Sequence, residues 1–184
     1  NASAVGYGNN ANALAASAVG YNNTAGGVGS STIGYNNTAT NENASAFGYG
    51  NTAGGLASSA FGFSNTASGD NANAFGYNNI ASGSKSNVFG TGNTVSGSSS
   101  TAVGTANEVA AENSTAIGNN NTISSGAENS AALGNNISIS LKDSVALGND
   151  STATAINSVT GNSSYTQWAG VSDVVGVVSV GSSG

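Results

Sequence analysis

Two short stretches, G-Y-G-N-N-A at residues 6–11 and G-Y-G-N-T-A at 48–53, carry the glycine spacing of a turn that cradles a dinucleotide pyrophosphate. That chemistry needs the turn to open a helix whose N-terminal amides face the phosphates. Here both stretches run on into Asn, Thr and Ala and open no helix, so they read as turns and no cofactor is expected. Nucleophilic, acid–base and metal chemistry also lack their parts. The chain has no His and no Cys, and its 8 acidic residues are scattered without forming a dyad. We therefore expect no enzyme, no catalytic or cofactor-binding residue and no metal. The N-x-S/T triplets at Asn22, Asn36, Asn113 and Asn162 follow from a composition rich in Asn, Ser and Thr.

What remains is the chemistry of recognition. Tyr7, Tyr21, Tyr35, Tyr49, Phe63 and Tyr77 recur every 14 residues, then give way in the same phase to Thr91, Thr105, Asn119, Asn135 and Asn149. Aromatic side chains supply large contact area at little entropic cost, so this file is a candidate ligand surface. A second candidate is the variable position occupied by Leu14, Val28, Glu42, Leu56, Asp70, Ser84, Ser98 and Glu112, where Leu14, Val28 and Leu56 would touch a partner if exposed. A file of threonines (Thr24, Thr38, Thr52, Thr66, Thr94, Thr122, Thr152) raises an ice-binding solenoid as a remote alternative. It is a single file, broken by Asn10, Ile80 and Glu108.

These files exist because the chain is a repeat. An apolar residue followed by Gly recurs at Gly6, Gly20, Gly34, Gly48, Gly62, Gly76, Gly90, Gly104 and Gly118, then at Gly134 after an insertion of two, and at Gly148, which makes eleven coils. The consensus is S-A-(apolar)-G-Y-N-N-T-A-x-G. A unit of 14 residues is too short for helical-hairpin repeats, and no six-residue period of a hexapeptide acyltransferase solenoid is visible. Two short facing strands per coil, stacked about 4.8 Å apart, predict an all-β solenoid.

Before each Gly stands a large apolar residue, Val5, Val19, Ile33, Phe47, Phe61, Phe75, Phe89, Val103, Ile117, Leu133 or Leu147, which is expected to fill the interior. A smaller file five positions after Gly, running from Ala11 and Ala25 to Ile139 and Ala153, would face it. Asn stands three positions after Gly nine times running, from Asn9 to Asn121, and is expected to hold the turn. A second turn is marked by Gly27, Gly55, Gly69, Gly83 and Gly97. Because strand side chains alternate, the residue preceding the large one points the other way. It is almost always Ala (Ala4, Ala18, Ala46, Ala60, Ala74, Ala102, Ala116, Ala132, Ala146), and we expect this small face to pack on another copy of the chain.

Only 5% of residues are charged, with a net charge of -6, so neither nucleic acid nor an anionic membrane is an expected partner. Like charges in one column would lie within about 5 Å, and Glu42, Asp70 and Glu112 share a column without occupying adjacent coils. No apolar run approaches the roughly 18 residues of a membrane helix. Lacking an initiator Met and stopping at Gly184, the chain reads as a segment of a longer protein. The 14-residue phase ends near residue 155, and residues 156–184, with Trp168 and the Val-rich 174–180, read as a connector buried between subunits, with a strand capping the solenoid as the other reading.

The coils S-A-V-G-Y-N-N-T-A, N-S-T-A-I-G (113–118) and D-S-V-A-L-G (143–148) resemble the head repeats of the trimeric autotransporter adhesins, the YadA-like heads. The resemblance implies a left-handed parallel β-roll over residues 1–155, assembled as a homotrimer with Trp168 and the alanine column in the packing. Residues 165–184 look like the start of the Trp-ring element that follows such heads. The family implies an extracellular place on a bacterial surface, anchored to the outer membrane through another part of the chain. Its implied partners are host collagen, fibronectin, laminin or cell receptors, or the same protein on sister cells. In the collagen-associated motif N-S-V-A-I-G, the Val is matched only by Val145, while Ser3, Ser17, Asn73 and Thr101 are among those that replace it.

Overall fold

A computed structural model describes residues 1–154 and the strand Val178–Val180. Each coil gives one long and one two-residue strand, from β1 (Ser3–Tyr7) and β2 (Asn10–Ala11) to β21 (Val145–Leu147) and β22 (Thr152–Ala153). The long strands stack in parallel as a 12-stranded sheet and the short ones as an 11-stranded sheet, each coil pairing with the next in register. The described residues thus form an all-β parallel solenoid.

Two left-handed corners turn the chain in each coil whose corners are both described. At one, after the long strand, stand Asn22 (φ 55), Asn36 (φ 55) and Asn120 (φ 54); at the other stand Ala15 (φ 57), Asn43 (φ 57) and Asn113 (φ 53). Asn is the non-glycine residue that adopts this backbone most readily. The left-handed residue is therefore the one before the recurrent Asn expected at the turn.

That Asn lies inside the coil. The Asn23 amide nitrogen donates to Asn9 Oδ1 (2.9 Å), to the Val19 carbonyl across the corner (3.1 Å) and to the Gly34 carbonyl of the next coil (2.7 Å), sharing its two protons among three acceptors. The Asn23 backbone N–H also donates to Asn9 Oδ1 (3.0 Å). The same set recurs up to Asn121, and these side chains are almost wholly excluded from solvent. The ladder stops at Ile137, whose backbone N–H closes it on Asn121 Oδ1 (3.0 Å). So the column does hold the turn, by its amide rather than by its backbone.

The interior is narrower than the sequence suggested, which reverses the expected inside and outside. Ala18, Ala46, Ala60, Ala74, Ala102, Ala116, Ala132 and Ala146 are buried within their own coil, facing Ala25, Ala39, Ala53, Val95 and Ile123 from the short strands. These alanines are unavailable to another subunit, and their assignment to subunit packing is corrected. Ala4, in the first coil, is exposed. The large residues before Gly point outward: Ile33 is 47% and Leu133 52% exposed. The physical reason is a thin interior: in the first half of the stack the fully buried positions hold only small residues, Ala, Ser, Asn and Gly with a single Thr at Thr32. Neighbouring coils are also close along the stack, since a Cβ added at Gly62 (φ +117) would lie 2.1 Å from the carbonyl oxygen of its in-register partner Gly76, and one at Gly69, in the file expected to mark the second turn, 2.2 Å from that of Gly83.

The two-residue insertion is absorbed at the corner containing Ser125 and Gly126, and register resumes with Ala116 opposite Ala132. It also places Glu128 in the column of Glu112: the Asn129 N–H donates to the Glu112 carbonyl (3.1 Å), as Gly29 does to Leu14. Two acids thus do stand in adjacent coils. Lys142 follows them in that column. At the far end, β23 (Val178–Val180) pairs in parallel with β21, with Val145 opposite Val178. This stretch of the Val-rich segment adds a strand to the end of the chain's own sheet, as the capping reading has it. Trp168 and the rest of the connector lie outside the described residues.

Asn65→Leu, of similar size, removes donors to Asn51 Oδ1, the Phe61 carbonyl and the Gly76 carbonyl and the acceptor for Asn79. Stranding these buried groups is expected to lower unfolding free energy by roughly 3 kcal/mol or more in urea titrations followed by circular dichroism. An unchanged midpoint would mean that the ladder does not hold the coils.

Candidate recognition surface

The outer face of the long-strand sheet carries two parallel files, since residues i and i+2 of a strand share a face. One is the large apolar residue before Gly; the other is the aromatic residue after it. From Tyr7 through Tyr21, Tyr35, Tyr49 and Phe63 to Tyr77 the rings form one continuous stack, with centroids 5.3, 5.1, 4.9, 4.8 and 5.2 Å apart. Interplanar angles range from 3° to 16°. A second stack runs beside it through Phe47, Phe61, Phe75 and Phe89 at 4.7, 4.9 and 5.3 Å. In-register pairing puts each ring one strand spacing from its equivalent, and the rings tilt into offset stacking.

This arrangement decides what the aromatic file can offer. Inside the stack each ring face is covered by its neighbours, so Tyr21, Tyr35, Tyr49 and Phe63, all 42–47% exposed, present edges to solvent. A ligand meets a ribbed apolar wall there, not a set of open stacking platforms.

Leu14, Val28 and Leu56 are exposed as well, on the corner at the other end of the long strands. The Leu56 N–H donates to Asp70 Oδ1 (2.9 Å), so this corner mixes apolar side chains with a bonded carboxylate. The two sets of candidate residues are thus not brought together. The threonine file lies on the outer face of the short strands, flanked by Thr40, Ser68, Ser82 and Ser96 two residues on. That neighbouring file of small polar residues carried no separate signal in the repeat consensus. Among the described residues no group of His, Cys, Asp or Glu could hold a metal ion, and no helix is long and apolar enough to cross a membrane.

The two halves of the stack differ. The aromatic file after Gly ends at Tyr77, and in the next coil the inner short-strand residue changes from Ala81 to Val95, followed by Val109, Ile123 and Ile139. Where the outer file becomes Thr and Asn, it also becomes hydrogen-bonded: the Asn119 amide donates to Asn135 Oδ1 (2.6 Å) and that of Asn135 to Asn149 Oδ1 (2.8 Å).

The described residues are a stacked parallel solenoid with a ribbed apolar wall along one sheet. Its family is specific: the model of the YadA head domain repeat matches residues 25–51, 53–79, 96–121 and 142–159, just over half of the chain, and the chain belongs to that family. These repeats mark an adhesin-type surface protein. No curated protein matches the chain.

Tyr35→Ser removes two stacked pairs and Tyr7→Ser one. With each pair contributing about 0.5–1.5 kcal/mol, the first should destabilise by about 1–3 kcal/mol and the second by about half as much, read from urea midpoints. Equal small effects would show that stacking adds nothing to the fold.

Proposed function

We propose that the chain is the head of a trimeric surface adhesin, in which three left-handed β-rolls lie side by side and meet through the outward apolar column. The observation that carries this is the column itself. Eleven large apolar residues from Val5 to Leu147 stand in one in-register file on the outer face of the long-strand sheet, seven of them more than a third exposed. Soluble monomers rarely leave so extended an apolar patch uncovered. Packing three such files against one another buries them and leaves the short-strand faces and the Leu14 corner outward. The seam thus moves from the alanines to Val19, Ile33, Phe47, Phe61 and their equivalents.

The head's work in this proposal is attachment to host matrix proteins such as collagen, fibronectin or laminin, to host cell receptors, or to the same head on sister cells. The anchor to the bacterial outer membrane belongs to another part of the protein. Presenting each shallow contact three times, and repeating it along the stack, lets weak binding accumulate. The second reading is a spacer that holds other binding domains away from the cell, favoured by the polar outer files of the second half.

Light scattering is expected to give three times the 17.5 kDa chain mass. The double variant Ile33→Glu, Phe61→Glu should run at the monomer mass with its β-sheet spectrum retained; a wild-type monomer, or a double variant that stays trimeric, would overturn the seam. Saturable binding of the trimer to immobilised collagen, fibronectin, laminin or to itself, lost in the monomer, supports the adhesin. No binding on any of these surfaces supports the spacer.

A further inference from the structure

The outer face of the short-strand sheet lacks the self-bonding seen elsewhere on the stack. Its first file runs through Thr24, Thr38, Thr52 and Thr66 in consecutive coils, each in register with the next, and returns at Thr94, Thr122 and Thr152. Among the described residues, none of these hydroxyls bonds to the protein. The exposed asparagines, by contrast, close on one another, Asn22 on Asn36 (3.0 Å) and Asn120 on Asn136 (2.9 Å). Two positions on, the backbone ladder continues, as where the Ser68 N–H donates to the Ala81 carbonyl and that of Ser124 to the Ile139 carbonyl (both 2.9 Å). A second file of small residues, from Thr40 through Ser68 and Ser96 to Thr154, therefore shares the face. The single threonine file visible in the sequence is thus one of two. Over the last three coils both are unbroken: Thr122 with Ser124, Ser138 with Ser140, and Thr152 with Thr154. Elsewhere Gly26, Gly54 and Ala110 leave gaps in the second file, and in the two files together Glu108 alone is charged and no residue is aromatic.

We propose that this face binds ice. In-register stacking sets the hydroxyls of each file about 4.8 Å apart and the two files roughly 7 Å from one another. The step along a file is close to the shortest repeat between equivalent oxygens in the ice lattice. A hydroxyl both donates and accepts, as each lattice water does, and the threonine methyl beside it holds water between the rows without competing for it. Because the rows are fixed by the sheet, little freedom is lost when ordered water settles on them. Other extended ligands fit less well: a polysaccharide surface calls for aromatic platforms, and a mineral or polyion for a file of charge. The face lies within one chain and outside the proposed seam, so it is open in monomer and trimer alike and depends on no matrix protein.

The test is thermal hysteresis and the shape of a single ice crystal grown in a solution of the purified protein, with serum albumin as control. Faceted crystals and a hysteresis that rises with protein concentration are expected, and the Ile33→Glu, Phe61→Glu variant should retain both. The double variants Thr38→Lys, Thr66→Lys and Thr122→Lys, Thr152→Lys place charges in alternate coils of the array. Each should lose most of the hysteresis while keeping its β-sheet spectrum, whereas Leu14→Lys, Val28→Lys on the corner should keep the activity. Rounded crystals with no hysteresis above the albumin control, or full activity in both threonine variants, would overturn the site. So would binding to insoluble cellulose that the threonine variants lose, in the absence of ice shaping, since the array would then serve a polysaccharide. Failure of the trimer or of matrix binding, measured separately, leaves these outcomes unchanged.

Discussion

In-register parallel stacking places every residue about one strand spacing from its own equivalent in the next coil, and each position must tolerate contact with itself. Few side chains do. Charges repel, which is why the chain carries 5% charged residues. Asn succeeds because its amide is donor on one side and acceptor on the other, so a column of identical residues becomes a chain of bonds from Asn9 to Asn121. Tyr and Phe succeed because their flat faces cover one another. Gly and Ala succeed by taking no space.

The same constraint explains what could be read in the sequence. A column is visible as a period, so the coils, their strands, the insertion before Gly134 and the candidate files were legible from spacing alone. Alternation told that Ala18 and Val19 face opposite ways, but not which way is in. Assigning the larger residue to the core fails here because the coil is too thin, and thinness depends on distances between layers that no single column reveals. A signal was present: in the first half of the stack the buried columns, as at Ala18, Asn23, Ala25 and Gly27, are filled by small residues. The left-handed corner was similarly displaced by one residue, because Asn22 and Asn23 are identical in type and differ only in which way the chain turns.

The two halves of the stack meet one need by different means. In the first six coils the interior short-strand residue is Ala and the apolar area sits outside, in the aromatic stack. From the seventh the interior carries Val95, Val109, Ile123 and Ile139, and the outer file becomes Thr and Asn. Burying a Val or Ile in place of Ala adds about 1–2 kcal/mol of hydrophobic stabilisation, similar in size to one or two stacked aromatic pairs. The exchange occurs within a single coil, between Tyr77–Ala81 and Thr91–Val95. Each half therefore secures its coils without needing the device of the other.

That division separates stability from recognition along the axis. Where the core residues are large, the file after Gly is free of structural duty and has become polar and, at Asn119, Asn135 and Asn149, self-bonded. Where the core is alanine, the outer rings must serve the fold, and a partner can use only their edges, because their faces are engaged. The boundary between the regimes is where an aromatic face is released from its structural role: the ring is still required above, at Phe63, and no longer covered below, at Thr91. A stack of near-identical coils, uniform by necessity elsewhere, acquires a distinct local chemistry only where its repeat changes.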